Sequence, residues 1–338
     1  MLNFLLIIIT AGLTFFLTYL LRKILISRNI LVIPNDRSSH QKPKPQGGGL
    51  SILISFIFFM ALSLFMDFIE EEIIIALTIP CLLIGLVGLK DDFNSIKPSL
   101  RLIIHFFSAS IGLYLVGGLP PISFFGSLVD LGLIGHILAV FYIVWLINLY
   151  NFMDGIDGLA SLEAIFIFSS LAIFIYLTLG TINISFLLPF LIGSVLGFLL
   201  WNFPKSFIFL GDVGSGFLGI ILALTSLLIA KEIPQLLWSF LVLIGVFVVD
   251  STYTLFFRIF SGKKFYEAHS EHLYQKIARS YNSHVKTSVL ILTINLSWLM
   301  PIALLITLQK IEGIFGVILA YIPLILACYF YNTVKQET

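Results

Sequence analysis

Long apolar runs alternate with short polar connections along the whole chain. Eleven runs stand out, at 2–21, 49–66, 73–89, 101–118, 131–149, 159–179, 184–200, 214–230, 236–257, 287–307 and 313–332. A helix needs about 20 apolar residues to cross the hydrocarbon layer of a bilayer, and these runs match that length. The pattern therefore predicts an all-α, polytopic integral membrane protein with about eleven transmembrane helices, folded as one domain over residues 1–338. The first run is followed by Arg22 and Lys23 and lacks a basic start and a small-residue cleavage site, so it reads as a spanning helix rather than a cleaved signal. No internal repeat, low-complexity segment or separate soluble domain interrupts the alternation.

The connections fall into two kinds, and their charge sets the orientation. One kind is short or acidic, such as Asp67 to Glu72, Leu119 to Asp130 and Lys310 to Glu312. The other is rich in Lys, Arg, Gly, Asp, Asn and His. With the N-terminus outside, 17 of the 19 basic residues fall in the cytoplasm and only Lys231 and Lys310 remain outside. The positive-inside rule selects this arrangement, which puts the C-terminus in the cytoplasm.

Composition agrees. Only 11% of residues are charged, against about a quarter in a soluble domain, and the mean hydropathy is +1.07. A net charge of +1 argues against nucleic acid as a partner. Cys81 and Cys328 lie inside apolar runs and suggest neither a disulfide framework nor a zinc site.

The expected topology brings five polar clusters, distant in sequence, to the cytoplasmic face, in loops 22–48, 90–100, 150–158, 201–213 and 258–286. The first runs from Asp36 to His40 and on to Gly47-Gly48-Gly49. The second is Asp91-Asp92, at the C-terminus of an inward-running helix, where the macrodipole disfavours negative charge. Such acids call for a cation or for a proton-transfer role. In the third, Asn151, Asp154 and Asp157 share a segment in which each Asp precedes a Gly; their oxygens suit Mg²⁺, or serve Asx-turns and a helix cap. In the fourth, Gly211 to Gly216 open a span, and free backbone amides there would suit phosphate, with a cation between it and Asp212. Phe209 just upstream could stack on a base. In the fifth, His269 and His272, at i and i+3, would share one helix face. Phosphate contact and a solvated loop both remain open for them, and zinc lacks a third soft ligand. Asp250, inside the ninth run, shares a face with Arg258 and reads as an internal ion pair or a support for the site. His105 and His136 read as packing or interfacial residues.

Asp91-Asp92, NFMDGIDGLA, FLGDVGS and the histidine loop, in that order, resemble the polyprenyl-phosphate N-acetylhexosamine-1-phosphate transferase superfamily. The resemblance runs from about Pro34 to about Tyr281. RSSHQKPKPQGGGL and AHSEHLYQ look most like the branch that initiates O-antigen synthesis. The chain departs from the superfamily in reading Pro43-Lys44-Pro45-Gln46 where relatives commonly have Pro-Thr-Pro-Arg. It also has His-Ser-Glu-His where the GlcNAc-transferring enzymes have His-x-His-His.

The resemblance implies an active site in the cytoplasmic loops of a bacterial inner-membrane enzyme. Asp212 and Asn151 would touch Mg²⁺, with Mn²⁺ as a substitute. Asp91 and Asp92 would lie at the lipid phosphate and aid its deprotonation, with Asp154, His269 and His272 completing the catalytic set. Asp157 and Phe209 would hold the base, with Asn202, Lys44 and Arg101 also binding substrate. The implied partners are a UDP-activated amino sugar, as GlcNAc or a 6-deoxy sugar such as FucNAc or QuiNAc, and undecaprenyl phosphate; the resemblance leaves a homodimer open. The implied reaction transfers sugar 1-phosphate and releases UMP. A transporter would gather its polar groups near the midplane instead.

Overall fold

The computed structural model describes residues 2–32, 43–262 and 270–334. Its helices are α1 (Leu2–Ser27), α2 (Gly49–Met66), α3 (Glu71–Phe93), α4 (Pro98–Leu115), α5 (Gly132–Met153), α6 (Leu159–Thr178) and α7 (Leu187–Asn202). They continue as α8 (Gly211–Glu232), α9 (Gln235–Leu243), α10 (Gly245–Phe260), α11 (Leu273–Tyr281), α12 (His284–Ile294), α13 (Met300–Thr307) and α14 (Gly313–Val334). Among the described residues nine helical stretches are long and apolar enough to cross a membrane, and ten if α9 and α10 form one span. The apolar helix α7, with 16 residues, is shorter, about 24 Å at 1.5 Å per residue. It still connects the two ends of the bundle. Just before it, Asn183 donates to Glu70 at one end (2.9 Å), and its last residue, Asn202, accepts from the Gly158 amide at the other (2.9 Å).

Helix α8 is the central pillar, buried along its length. Small residues let its neighbours approach closely, as is usual where apolar helices pack without a hydrophobic drive. A Cβ on Gly88 of α3 would strike the Asp212 carbonyl, and one on Gly49 of α2 would strike Gly214. Outside this centre, Gly193 and Gly197 of α7 lie against the α1 backbone at Ile7 and Ala11. Hydroxyl pairs Thr14–Ser55 and Thr18–Ser51, each 2.7 Å, tie α1 to α2. Buried hydroxyls satisfied across helices stabilise such a bundle, by roughly 0.6 kcal/mol each.

Three features depart from the expected straight helices. The connection at 119–130 contains a two-stranded antiparallel hairpin, β1 (Ile122–Phe124) and β2 (Ser127–Val129), turning at Phe125 and Gly126, both with positive φ. It docks on the helix ends beside it: Trp238 donates to the Ser123 carbonyl (2.7 Å) and the Phe125 amide to Glu312 (3.1 Å). The apolar run 236–257 is not one straight helix; α9 and α10 meet at 66°. The break falls at Ile244-Gly245, where Tyr321 and Leu299 crowd the missing side chain of Gly245. The run 287–307 is helical throughout but passes through a π turn, Asn295–Leu299, just before Pro301, whose ring nitrogen cannot continue the regular hydrogen-bond ladder.

Candidate active site

The polar clusters meet at one end of the bundle, around a cavity of about 810 Å³. Asn151, Asp154 and Asp157 reach it from the end of α5, Asn202 from the end of α7, Phe209 and Asp212 from the start of α8, and Gln275, Arg279 and His284 from α11 and α12. Segments more than a hundred residues apart therefore build one site.

The acidic half of the site is organised by the start of α8. Gly211 adopts φ +77°, and a Cβ there would lie 2.6 Å from Asp92 Oδ2 and 2.8 Å from the Gly47 nitrogen. Glycine is required both for the conformation and for the space. Asp92 then caps α8 from the neighbouring helix: its Oδ1 accepts from the Asp212 amide (2.8 Å) and its Oδ2 from the Val213 amide (3.1 Å). Gln46 Nε2 donates to the same Oδ1 at 2.6 Å. Two expectations change here. The amides of Asp212 and Val213, expected to receive phosphate, are taken by Asp92. The unfavourable dipole of α3 is answered by the positive end of α8, which stabilises the Asp92 charge.

Asp91 faces a different set of partners. It accepts from Arg101 Nη1 (2.6 Å) and the Ile96 amide (2.6 Å). Arg101 also pairs with Asp212 Oδ2 at 3.1 Å, so one guanidinium joins the two acids. Asn151 Nδ2 donates to Asp212 Oδ1 (2.7 Å) and approaches Ser215 (3.2 Å), which leaves its carbonyl oxygen for a ligand. Asp154 lies beside this group. Burial first, then the charges of Asp212, Asp92 and Asp157, push its carboxyl well above the ordinary range.

The other half of the site is built on Asp157. Burial alone would raise its carboxyl, but the His284 ring, the Ser206 hydroxyl and amide, and Lys44 outweigh it and bring it down to about 2. Ser206 donates from its amide to Oδ2 (3.1 Å) and from its hydroxyl to Oδ1 (2.8 Å), and His284 Nδ1 lies 3.5 Å from Oδ1. Lys44 Nζ donates to the Ser206 hydroxyl (2.7 Å) and sits 5.1 Å from the centre of the Phe209 ring, a cation–π contact that fixes the ring's place on the cavity wall. Burial lowers the Lys44 ammonium, partly opposed by Asp157. Asn202 lines the cavity, yet its side chain holds loops together: its oxygen accepts from Gly158 (2.9 Å) and its nitrogen donates to the Ile208 carbonyl (3.0 Å).

Of the histidine pair, only His272 falls among the described residues. His269 lies outside the described residues, as do Asp36 to His40. His272 precedes α11 rather than lying in it, is buried, and stacks on Phe152 with centroids 6.0 Å apart. Its Nδ1 is 3.3 Å from Asp250 Oδ1. Asp250 also accepts from the Leu273 and Tyr274 amides, each at 2.9 Å, so it caps α11 as Asp92 caps α8. Arg258 pairs with Glu271 (2.8 Å), so of the two readings of Asp250 the structure agrees with support of the site rather than an ion pair with Arg258. His105 is buried beside Asn148, and His136 accepts from the Leu119 amide. Sequence reasoning overlooked His284, Ser206 and Arg279. The signal available was the polar segment from Leu273 to His284, which forms α11 and the start of α12.

A family model described as glycosyl transferase family 4 matches residues 73–230. A probable undecaprenyl-phosphate N-acetylglucosaminyl 1-phosphate transferase of Bacillus subtilis (strain 168) is 28% identical over 285 residues, covering 82% of this chain and 77% of the relative. A phospho-N-acetylmuramoyl-pentapeptide-transferase of Streptococcus pneumoniae (strain Hungary19A-6) is 31% identical over 247 residues, covering 68% and 74%. The matched stretch 73–230 holds Asp91, Asp92, Asn151, Asp154, Asp157 and Asp212.

Proposed function

The chain belongs to glycosyl transferase family 4, among the polyprenyl-phosphate hexosamine-1-phosphate transferases, and on that premise we propose that it transfers a sugar phosphate from a UDP-sugar to undecaprenyl phosphate. The sugar we propose is an N-acetylhexosamine, GlcNAc or a 6-deoxy relative, and the product starts a cell-surface polysaccharide of the O-antigen kind. The observation that carries this reading is the single cavity at which one acidic group and one aromatic–lysine wall meet. Its volume is in the range of sites that bury a ligand of nucleotide size.

In the proposed reaction an oxygen of the lipid phosphate attacks the β-phosphorus of the UDP-sugar. A new P–O bond forms, the bond from the β-phosphorus to the bridging oxygen breaks, and UMP leaves with the electron pair. Phe209, held by Lys44, stacks on the uracil, and Asp157 orders that wall through Ser206 and His284. Arg101 binds the lipid phosphate. It lines a small crevice between α3, α4, α5 and α8 together with Ile84, Val87 and Ile147. Asp154, buried beside Asp212 and Asp92, is placed to exchange a proton with the acceptor phosphate. Asp92 keeps Asp212 in place rather than moving a proton.

Mg²⁺ fits the residues present. Asp91, Asp92, Asp154 and Asp212 put four carboxylates together, and among the described residues Arg101 is the one cation paired with them. The donors are all oxygen, as a hard cation requires. Among the described residues no three of His, Cys, Asp and Glu are disposed to hold an ion by themselves; Mg²⁺ commonly takes one or two carboxylates and completes its shell with substrate phosphates and water. Asp212 and Asn151 would hold it, with Mn²⁺ as a substitute, and it would neutralise charge on the diphosphate.

We place this site on the cytoplasmic face of a bacterial inner membrane, with eleven crossings, the N-terminus outside and the whole chain as one transferase domain. The charge asymmetry of the connections supports that placement. The experiment is to incubate purified protein with undecaprenyl phosphate, Mg²⁺ and a panel of UDP-sugars, and to measure UMP release. Release with one or a few N-acetylhexosamine donors, dependent on the lipid, is expected. Lipid-independent release, or none with any donor, would overturn the reading.

A further inference from the structure

Glu163 of α6 and Asn295 of the π turn lie inside the bundle, each 1% exposed. Asn295 Nδ2 donates to Glu163 Oε2 at 2.5 Å. The other oxygen of each side chain, Glu163 Oε1 and Asn295 Oδ1, is buried with no hydrogen-bond partner. Among the described residues no basic side chain forms an ion pair with Glu163. An ionised carboxylate with a single donor at this depth is costly, and it leaves one orphaned acceptor on each of the two paired groups. One proton resolves both: a hydroxyl at Oε1 donates to Oδ1 and closes a ring of two hydrogen bonds.

We infer that Glu163 is a neutral carboxylic acid paired with Asn295, and that the pair positions the Asp157 wall of the cavity. The positioning role rests on the reading of that wall as the nucleotide site. Helix α6 begins just after Asp157, and α12 supplies His284 and Ser288 to the same wall. Ser288 donates to the Asp157 carbonyl (3.2 Å), and His284 Nδ1 sits against the same residue, 3.4 Å from its amide nitrogen and 3.5 Å from its Oδ1. The acid–amide pair is a second tie between the same two helices, about two turns deeper. It falls where a tie is needed. A π turn inserts an extra residue into a helix and rotates the face beyond it, so regular packing does not fix the register of α12 on α6 at Asn295. The closed pair does, and so holds His284 and Ser288 against Asp157.

Two measurements test this. In infrared difference spectra at neutral pH, wild type minus Glu163→Gln should show the carbonyl band of a protonated carboxyl group. In kinetics, Glu163→Gln can still donate to and accept from Asn295, so KM for the nucleotide sugar should stay within about twofold. Glu163→Leu should raise that KM about three- to tenfold, the loss expected from interhelical hydrogen bonds, with kcat changing less. Asn295→Leu should do the same and serves should Glu163→Leu fail to fold. A missing infrared band would overturn the neutral pair. A Gln variant as impaired as the Leu variants, or Leu variants with unchanged KM, would overturn the positioning role. A wild-type protein that binds no nucleotide sugar would overturn the donor reading and the positioning role with it, while the infrared band would still decide the state of Glu163.

Discussion

Replacing Asp92 by Asn separates a positioning acid from a proton acceptor. Asp92 receives three hydrogen bonds, two of them from the first amides of α8. Asn at this site can keep an oxygen towards Gln46 and the Asp212 amide, but its NH₂ then faces the Val213 N–H, donor against donor. A hydrogen bond to a charged group contributes about 1.5–3 kcal/mol, and charge at a helix N-terminus a further few tenths to 1 kcal/mol. We take about 2 kcal/mol, within that range, as the net loss. Expressed through a displaced Asp212, that is about a 30-fold fall in kcat/KM. The assay combines turnover, thermal midpoint in detergent, and activity titrated against Mg²⁺. A positioning acid predicts a lower midpoint and a higher Mg²⁺ requirement together with the lost turnover. An unchanged midpoint and Mg²⁺ requirement, with kcat down a hundredfold or more, would make Asp92 a proton-transfer group and refute the capping argument.

Asp212→Asn should remove most activity, and EDTA should do the same to wild type; full activity in metal-free protein would remove the cation from the account. Phe209→Ala and Lys44→Ala should raise KM for the nucleotide sugar while leaving that for the lipid nearly unchanged, as parallel kinetics with each substrate varied would show. The folded-state carboxyl of Asp157 is lowered to about 2, so the stability it supplies is present above its unfolded value near 4 and lost only as pH falls through about 2. The difference in thermal midpoint between wild type and Asp157→Asn should therefore stay constant from about pH 7 to pH 5; a difference that vanishes in that window would contradict the pairing with Ser206 and His284.

The spans were legible because hydropathy reads the solvent directly, and the common face of the motifs because basic residues mark one side of the chain. Partnerships across the chain were not. That Asp92 caps α8 depends on an approach between residues 120 positions apart in sequence, and nothing in Gly211-Asp212-Val213 says its amides are already taken. Asn202 reads as a candidate ligand by type, yet Gly158 and Ile208 consume its amide. The bend at Ile244-Gly245 lies between two equally apolar stretches, so hydropathy passes over it. Glu163 sits in one apolar run and Asn295 in another; each is a lone polar residue until the bundle brings the two together.

The central claim is that the sugar's phosphate moves with the sugar. UDP-N-acetylhexosamine labelled at the β-phosphorus, and separately at the α-phosphorus, distinguishes this directly when incubated with the purified protein and undecaprenyl phosphate. The account predicts that the β label enters the lipid phase and the α label is recovered as UMP. Recovery of both labels together in water as UDP, with the sugar alone on the lipid, would contradict it.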